Sequence, residues 1–345
     1  MEKQEQRLSV GIIGAGNFST RHIEVIHRVP QLRLVAICRR DPLALHQLVK
    51  RYKVQGTNDY TQLLENPAIH AVLIATPHHL HAEIAVAAAK AGKHILLEKP
   101  MATCWKDCEA IYNACKENRV KLMLAQLGQF TPAFLAAKRF LHSGELGTIR
   151  AAQAISASFW KHADRKDWHL RKEFGGGYLF TVAVHQLDAL CALLPSKIRR
   201  VFAMLGNGLH GDAVDDNGIL SMECTDGLHA SLHFSGFRDG VNRIETLLYG
   251  DNGMLKISFS EGAFFGKDQK WQLLPDSYAS NWMDQALVSE WKAFANGIEK
   301  DAVLPVPGEH GLYLMQVLFA AQASAASGKE IFVTPGKTIK PKQAP

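Results

Sequence analysis

The sequence predicts an α/β protein in two parts: an N-terminal doubly wound parallel sheet, then an α+β domain with a mostly antiparallel open sheet. Three observations carry this. Short apolar strands alternate with helical stretches over roughly the first 125 residues. A Gly-x-Gly turn joins the first strand to the first helix. After Phe130 the texture changes to longer strands with alternating or β-branched patterns.

Strand 8–13 runs into Gly14-Ala15-Gly16, and 17–28 reads as a helix. Strand 32–38 and helix 42–52 come next, followed by a short helix at 60–65 and a buried strand at 71–75. Helix 80–92, strand 94–98, helix 103–118 and strand 121–125 complete the series. Strands joined by helices pair in parallel, and right-handed crossovers wind such a sheet in both directions. Helix 132–143 ends at Gly144, and 149–159 reads as a long strand. Strand patterns follow at 198–205, 219–225, 228–235, 243–249 and 254–259. Turn signals at Thr225-Asp226-Gly227 and Gly250-Asp251-Asn252-Gly253 favour antiparallel neighbours. Helices 283–298 and 311–327 close the fold, and the tail from Lys337 is expected to be loose. The expected division is 1–128 and 129–345.

With 345 residues and 47% hydrophobic content, the chain can bury two cores. A net charge of +6 without long Lys/Arg runs argues against a nucleic-acid arm. The first seven residues are charged and lack an apolar signal core, and no apolar run reaches membrane-span length, so a cytoplasmic protein is expected. None of the six cysteines forms a Cys-x-x-Cys pair. Cys104, Cys108 and Cys115 read as reduced small hydrophobes in a helix. No metal is expected, and His78, His79 and His81 read as loop contacts to a cofactor or as helix-start polarity.

The turn Gly14-Ala15-Gly16-Asn17-Phe18 opens a helix directly after a strand. Such a turn lets backbone approach a pyrophosphate, whose charge the helix N-terminus stabilises. Ser19 stands where the fingerprint has Gly or Ala, and an ordinary Gly-rich turn is the plain alternative. The second strand ends with Cys38-Arg39-Arg40 rather than an acid. An acid there suits the ribose of NAD, whereas arginines suit a 2′-phosphate. NADP(H) is therefore the preferred cofactor, with NAD(H) also possible; two solvated arginines are the alternative. Thr76, His78, Glu98 and Lys99 lie at ends of parallel strands, where open α/β sheets bind ligands. Gly175-Gly176-Gly177 opens a helix that places Thr181, His185 and Asp188 on one face. His185 can relay a proton near neutrality, although an isolated helical histidine is more often a packed one. The basic, aromatic stretch 160–172, including Trp168, reads as a substrate-covering loop or a solvated surface.

In combination, Gly11-x-x-Gly14-Ala15-Gly16-Asn17, Ala75-Thr76-Pro77-x-x-x-His81, Ala91–Pro100 with Glu98-Lys99-Pro100, and Gly175-Gly176-Gly177…His185…Asp188 resemble the Gfo/Idh/MocA oxidoreductases. The resemblance implies a Rossmann domain with an open-sheet second domain. It also implies hydride exchange between a nicotinamide and a carbinol or carbonyl carbon of a small polyhydroxylated substrate, a sugar, cyclitol or related compound. By the same resemblance Lys99 and His185 are the catalytic pair and the protein is a homodimer or homotetramer; Trp168, on the covering-loop reading, and Thr181, one turn before His185, are expected at the substrate with them. Thr181 stands where many members have Asp, Ala183 replaces a common Gly, and Gln126 and Gln129 replace other residues. These departures bear on the substrate. An NAD-retaining redox-assisted glycosidase and a catalytically inactive nucleotide-binding regulator are the competing functions.

Overall fold

The computed structural model describes residues 7–334. The expectations for the first six residues and for the tail from Lys337 lie outside them. The chain forms two compact, interleaved units. One takes residues up to Ala125 together with Leu287–Leu312, and the other takes Gln126–Ala286 with residues from Tyr313 on. A single cut near residue 128 does not express this interleaving.

In the first unit, β1 (Leu8–Ile13), α1 (Asn17–Ile26), β2 (Leu32–Cys38), α2 (Pro42–Tyr52), β3 (Gln55–Thr57) and α3 (Tyr60–Glu65) follow in order. Then come β4 (Ala71–Ile74), α4 (His81–Lys90), β5 (His94–Glu98), α5 (Trp105–Glu117) and β6 (Leu122–Ala125). The caps explain several boundaries. Asp41 accepts from the amides of Leu43 and Ala44 ahead of Pro42, and Lys53 ends α2 in the left-handed conformation. All six strands pair in parallel, in the order β3-β2-β1-β4-β5-β6. The order reverses between β1 and β4, so their C-terminal ends form the crevice where such sheets bind ligands. Strands β1 and β4 are buried along their whole length, as helices on both faces require.

The second unit starts with α6 (Pro132–Ser143), capped by Thr131 and ended by left-handed Gly144. It continues with β7 (Ile149–Phe159), a π-helical turn at Leu179–Ala183 and α7 (Val184–Leu193). Strands β8 (Ile198–Gly206), β9 (Asn217–Cys224), β10 (His229–Phe237), β11 (Arg243–Gly250), β12 (Gly253–Ser258), β13 (Gly262–Lys267) and β14 (Lys270–Leu273) follow. The chain then forms α8 (Trp282–Glu299), α9 (Gly308–Ser327) and β15 (Ile331–Phe332). From Leu287, α8 belongs to the first unit, and from Tyr313, α9 belongs to the second. The nine-stranded sheet runs β14-β13-β12-β11-β7-β10-β9-β8-β15. It is antiparallel except where β7 pairs with β10. Helix α7 lies against β7 and β11, and buried Thr246 of β11 donates to Gln186 at 3.0 Å. On β8 and β9, Phe202, Met204 and Ile219 remain 41%, 58% and 43% exposed, which leaves an apolar strip on this sheet. No helix among the described residues is long and apolar enough to cross a membrane.

Candidate active site

In the first unit the Gly-rich turn is built on Gly14. Its φ is +91°, and a Cβ there would sit 2.6 Å from the Ala75 carbonyl oxygen at the end of β4. Both conditions require glycine. The amides of Gly14 and Ala15 donate to the Cys38 carbonyl at the end of β2, which fixes the turn between two strands. Ser19, the departure from the fingerprint, is 1% exposed, and its hydroxyl donates to the Gly14 carbonyl at 2.7 Å. A hydroxyl in this position closes the turn from the helix side.

Gly16 behaves differently. A Cβ there would meet only the Gly14 carbonyl, at 3.9 Å, so the fold itself does not require glycine. Gly16 is also the N-cap of α1 and supplies no side-chain cap. The first-turn amides of α1, at Asn17 and Phe18, thus form an N-terminus open to an anion. Beside it, Thr76 carries a buried hydroxyl with no partner among the described residues. An empty cradle, an uncapped helix start and an unpartnered hydroxyl fit a dinucleotide pyrophosphate.

At the end of β2, one Arg39 nitrogen donates to the Ala15 carbonyl at 2.6 Å, while Arg40 is exposed. Asp41, the nearest acid in sequence, is occupied in capping α2. Arg39 therefore braces the glycine turn, and its remaining N–H groups define the surface next to it.

The turn after β5 carries Lys99, which is half-buried and precedes a cis Pro100. His81 ties this turn to the neighbouring one: its ring nitrogens lie 2.9 Å from the Pro100 carbonyl and 2.9 Å from the Thr76 carbonyl. His78 is 6% exposed, with its ring 5.7 Å from that of His81. No group of three or more His, Cys, Asp or Glu among the described residues is arranged to hold a metal.

Beneath Lys99 lies a polar chain that the sequence did not announce. Glu98 accepts the Lys99 amide at 3.2 Å and contacts His22 Nε2 at 3.3 Å. The Trp291 indole donates to His22 Nδ1 at 3.0 Å. An indole N–H can only donate, so Nδ1 must present its lone pair and Nε2 carries the hydrogen given to Glu98. Burial works to raise the Glu98 carboxyl, but the His22 hydrogen bond and the Lys99 ammonium hold it below the ordinary value. Glu290, one residue before Trp291 on α8, is fully buried, and neither carboxyl oxygen has a partner among the described residues. Burial, then the charge of Glu98, push its pKa well above the ordinary value, so it is held as the neutral acid.

In the second unit the glycine triplet is packed from all sides. A Cβ on Gly176 would lie 2.4 Å from the His169 carbonyl oxygen, and one on Gly177 would lie 2.4 Å from Asp215 Oδ2. The amides of Gly176 and Gly177 donate to the Arg171 and His169 carbonyls, which holds the Trp168 segment against the triplet. Trp168 is half-buried and stacks on His169 with centroids 3.6 Å apart. The helix then begins with the wide π turn. Within it Thr181, 8% exposed, donates its hydroxyl to the Gly177 carbonyl at 2.6 Å. His185 is half-buried on the first turn of α7. Asp188 is fully buried, and Gln129 donates to both its carboxyl oxygens at 3.0 Å. Gln129, a departure from the family pattern, thus anchors the helix that bears His185.

Sequence reading missed His22, Glu290, Trp291, Asp215 and the pairing of Gln129 with Asp188. Only Glu290 carries a local signal. It shares the apolar face of α8 with Ala286, Leu287 and Phe294, where a carboxylate is out of place.

Residues 8–126 match the family described as "Oxidoreductase family, NAD-binding Rossmann fold", and residues 134–256 match the "GFO/IDH/MocA C-terminal domain". Levoglucosan dehydrogenase from Pseudarthrobacter phenanthrenivorans is 34% identical over 196 residues, 53% of this chain. That stretch spans 50%, about half, of the relative's own length. The oxidoreductase YrbE of Bacillus subtilis, itself uncharacterised, is 25% identical over 95% of this chain and 97% of its own. A solved structure of levoglucosan dehydrogenase in complex with NADH and L-sorbose superposes with a TM-score of 0.86 at 25% identity, over 95% of this chain and 99% of that one. With both halves matched in order, the chain belongs to the Gfo/Idh/MocA family of oxidoreductases.

Proposed function

We propose that this chain is a nicotinamide-dependent dehydrogenase or reductase. It would move a hydride to or from a CH–OH carbon of a small polyhydroxylated substrate such as a sugar or cyclitol. The observation that carries the reading is the turn at Gly16: open at the Cβ position, with no side-chain cap, at the crevice between β1 and β4. The NADH and L-sorbose bound to levoglucosan dehydrogenase support it by analogy. NADP(H) is the preferred cofactor in this reading, because Arg39 and Arg40 stand where a ribose-binding acid would stand. NAD(H) remains a possible alternative. The protein is read as a cytoplasmic homodimer or homotetramer, which would cover the apolar strip of Phe202, Met204 and Ile219.

Bound nicotinamide would supply the hydride acceptor or donor; the protein supplies positioning and proton handling. Gly14, Gly16, Asn17 and Phe18 would present backbone to the pyrophosphate, with Thr76, His78 and the Glu98–Lys99 turn along the remainder. The Lys99 ammonium would orient and polarise the substrate oxygen. His185 would take the hydroxyl proton during oxidation and return one during reduction, since imidazole titrates near neutrality. Trp168 and Thr181 would contact the substrate. Thr181 hydrogen-bonds but brings no negative charge, so this site works without the carboxylate that many family members have there.

The test is a screen of sugars, cyclitols and sugar nucleotides with NAD(H) and NADP(H), repeated for Lys99→Ala and His185→Ala. Each variant should lose at least ~100-fold in turnover with cofactor affinity nearly unchanged. Full turnover in His185→Ala would make that histidine structural. Arg39→Asp should shrink the NADP(H) preference by up to roughly thirtyfold, equivalent to ~2 kcal/mol for a desolvated charged contact. Equal use of both cofactors by the wild type would refute that preference.

A further inference from the structure

We infer that Asp215 is the positioning residue for the helix that carries His185: its carboxylate pins the glycine turn from which that helix starts. The inference deepens the reading of His185 as the proton-transferring group and rests on it.

The geometry is specific. The Asp215 carbonyl accepts the Tyr178 amide at 2.8 Å, and its Oδ1 accepts the Leu179 amide at 2.7 Å. The other carboxyl oxygen lies too close to where a Cβ of residue 177 would be for any residue but glycine, whose φ there is +101°. From inside the helix, the Gly177 carbonyl accepts both the amide and the hydroxyl of Thr181, at 3.1 and 2.6 Å. The start of the helix is thus clamped on both sides, by Asp215 and by Thr181. An anion at a helix N-terminus is also favoured by the helix dipole.

The segment that brings Asp215 there is itself anchored. The neighbouring Asp216, 1% exposed, accepts the amides of Leu209 and His210 at 3.0 and 2.7 Å and the Asn217 side-chain amide at 2.6 Å. The Asp216 amide donates to the Gly206 carbonyl, and its carbonyl accepts the Gly236 amide. Asp216 therefore fixes the connection between β8 and β9, and Asp215, just before it, reaches from it to the glycine turn. The two carboxylates divide two tasks between them.

The charge on Asp215 is held at a cost to the fold. Burial lifts its carboxyl to about 6, and the negative charge of Asp216 adds to this, against the opposing Leu179 hydrogen bond and the Lys172 ammonium. Among the described residues that line the same cavity of about 480 Å³, Lys172 is the other charged group, and Asn207 of the loop after β8 and Phe319 and Gln322 of α9 are neutral. The folded state binds this proton more tightly than the unfolded chain. The contribution to stability is therefore complete below about 4 and is lost as pH rises through about 6. For folding alone, asparagine would accept the same amide without that loss. The carboxylate is kept for the acceptor it gives the start of the His185 helix, and protonation below about pH 6 should tighten this arrangement rather than release it.

The experiment compares wild type, Asp215→Asn and Asp215→Ala by amide hydrogen exchange of segment 178–185, corrected for intrinsic rates. In the wild type, protection should rise by up to ~tenfold from pH 7.5 to pH 5, one unit below the carboxyl's pKa, because opening exposes a carboxyl that the closed state prefers protonated. In Asp215→Asn it should be independent of pH, and in Asp215→Ala it should be low throughout. The melting-temperature difference between Asp215→Asn and wild type should grow with pH. At pH 8, Asp215→Ala should lose ~tenfold in kcat with cofactor Kd unchanged, and Asp215→Asn should recover most of it. Equal protection at both pH values in the wild type, or full kcat in Asp215→Ala, overturns the inference. If the wild type turns over no substrate but shows the exchange pattern, Asp215 is the anchor and the functional reading is what fails.

Discussion

Two glycine turns in this protein each open a helix, and they are built in opposite ways. At Gly14–Gly16 one glycine is required by the fold and the other is not; Gly16 faces open space and α1 begins without a side-chain cap. At Gly175–Gly177 the space is filled: Gly176 by the His169 carbonyl and Gly177 by the Asp215 carboxylate, which accepts the second amide after it. The first turn leaves its positive helix end without a side-chain cap, while the second meets it with the protein's own anion. Glycine triplets and Gly-x-Gly motifs look alike on paper. What distinguishes a ligand cradle from a positioning clamp is whether the chain itself fills the gap.

Two substitutions probe this contrast. Gly177→Ala should have the largest effect. A Cβ would fall 2.4 Å from Asp215 Oδ2, and φ is +101°, so strain adds to the clash. A loss of about 2–3 kcal/mol in chemical denaturation is expected, and unchanged stability would mean that the clamp yields freely. Gly16→Val is the mirror case. The fold should tolerate it, because the nearest atom to a Cβ is 3.9 Å away. Cofactor affinity should nonetheless fall by more than roughly thirtyfold, the scale of a lost charged contact. A folded variant with normal cofactor affinity would empty the first turn of its assigned role.

The smallest effect is expected at Glu290→Gln, away from both turns. The folded pKa of Glu290 is raised well above the ordinary 4.5, so its contribution to stability is complete below about 4.5 and is lost as pH rises through the raised value. Glutamine escapes that loss. Its melting temperature should exceed that of the wild type by an amount that grows between pH 5 and pH 9, reaching roughly 2–4 °C. A difference that does not change with pH would mean that Glu290 is ionised in the folded protein.

Most element boundaries were legible because their causes are local. Helices α2 and α6 begin and end where caps, N-terminal prolines and left-handed Lys53 and Gly144 put them, and strands β2 and β7 span their apolar or alternating runs. Of the strands not anticipated, β3, β14 and β15 have two to four residues, all of β14 is exposed, and β13 has two glycines in its six residues. They exist through pairing with a neighbour rather than through their own apolar pattern. The π turn before α7 escaped for a related reason. Thr181, His185 and Asp188 at helical spacing gave no sign of a wider turn, yet the clamp on Gly177 sits at that place.

The sequence alone determined most of the order of strands and helices, the two glycine turns, the position of Lys99 at the end of β5 and that of His185 on the helix after the second turn. Each of these depends on residues within one or two turns of chain. Only the tertiary structure decided which groups surround them. His22 meets Glu98 across 76 positions and Trp291 across 269. Asp215 reaches Leu179 across 36, and Gln129 reaches Asp188 across 59. None of these partners lies at a spacing that helix or strand periodicity could reveal. They are brought together by sheet order and helix packing, and a buried carboxylate takes its charge state from neighbours that only the folded chain supplies.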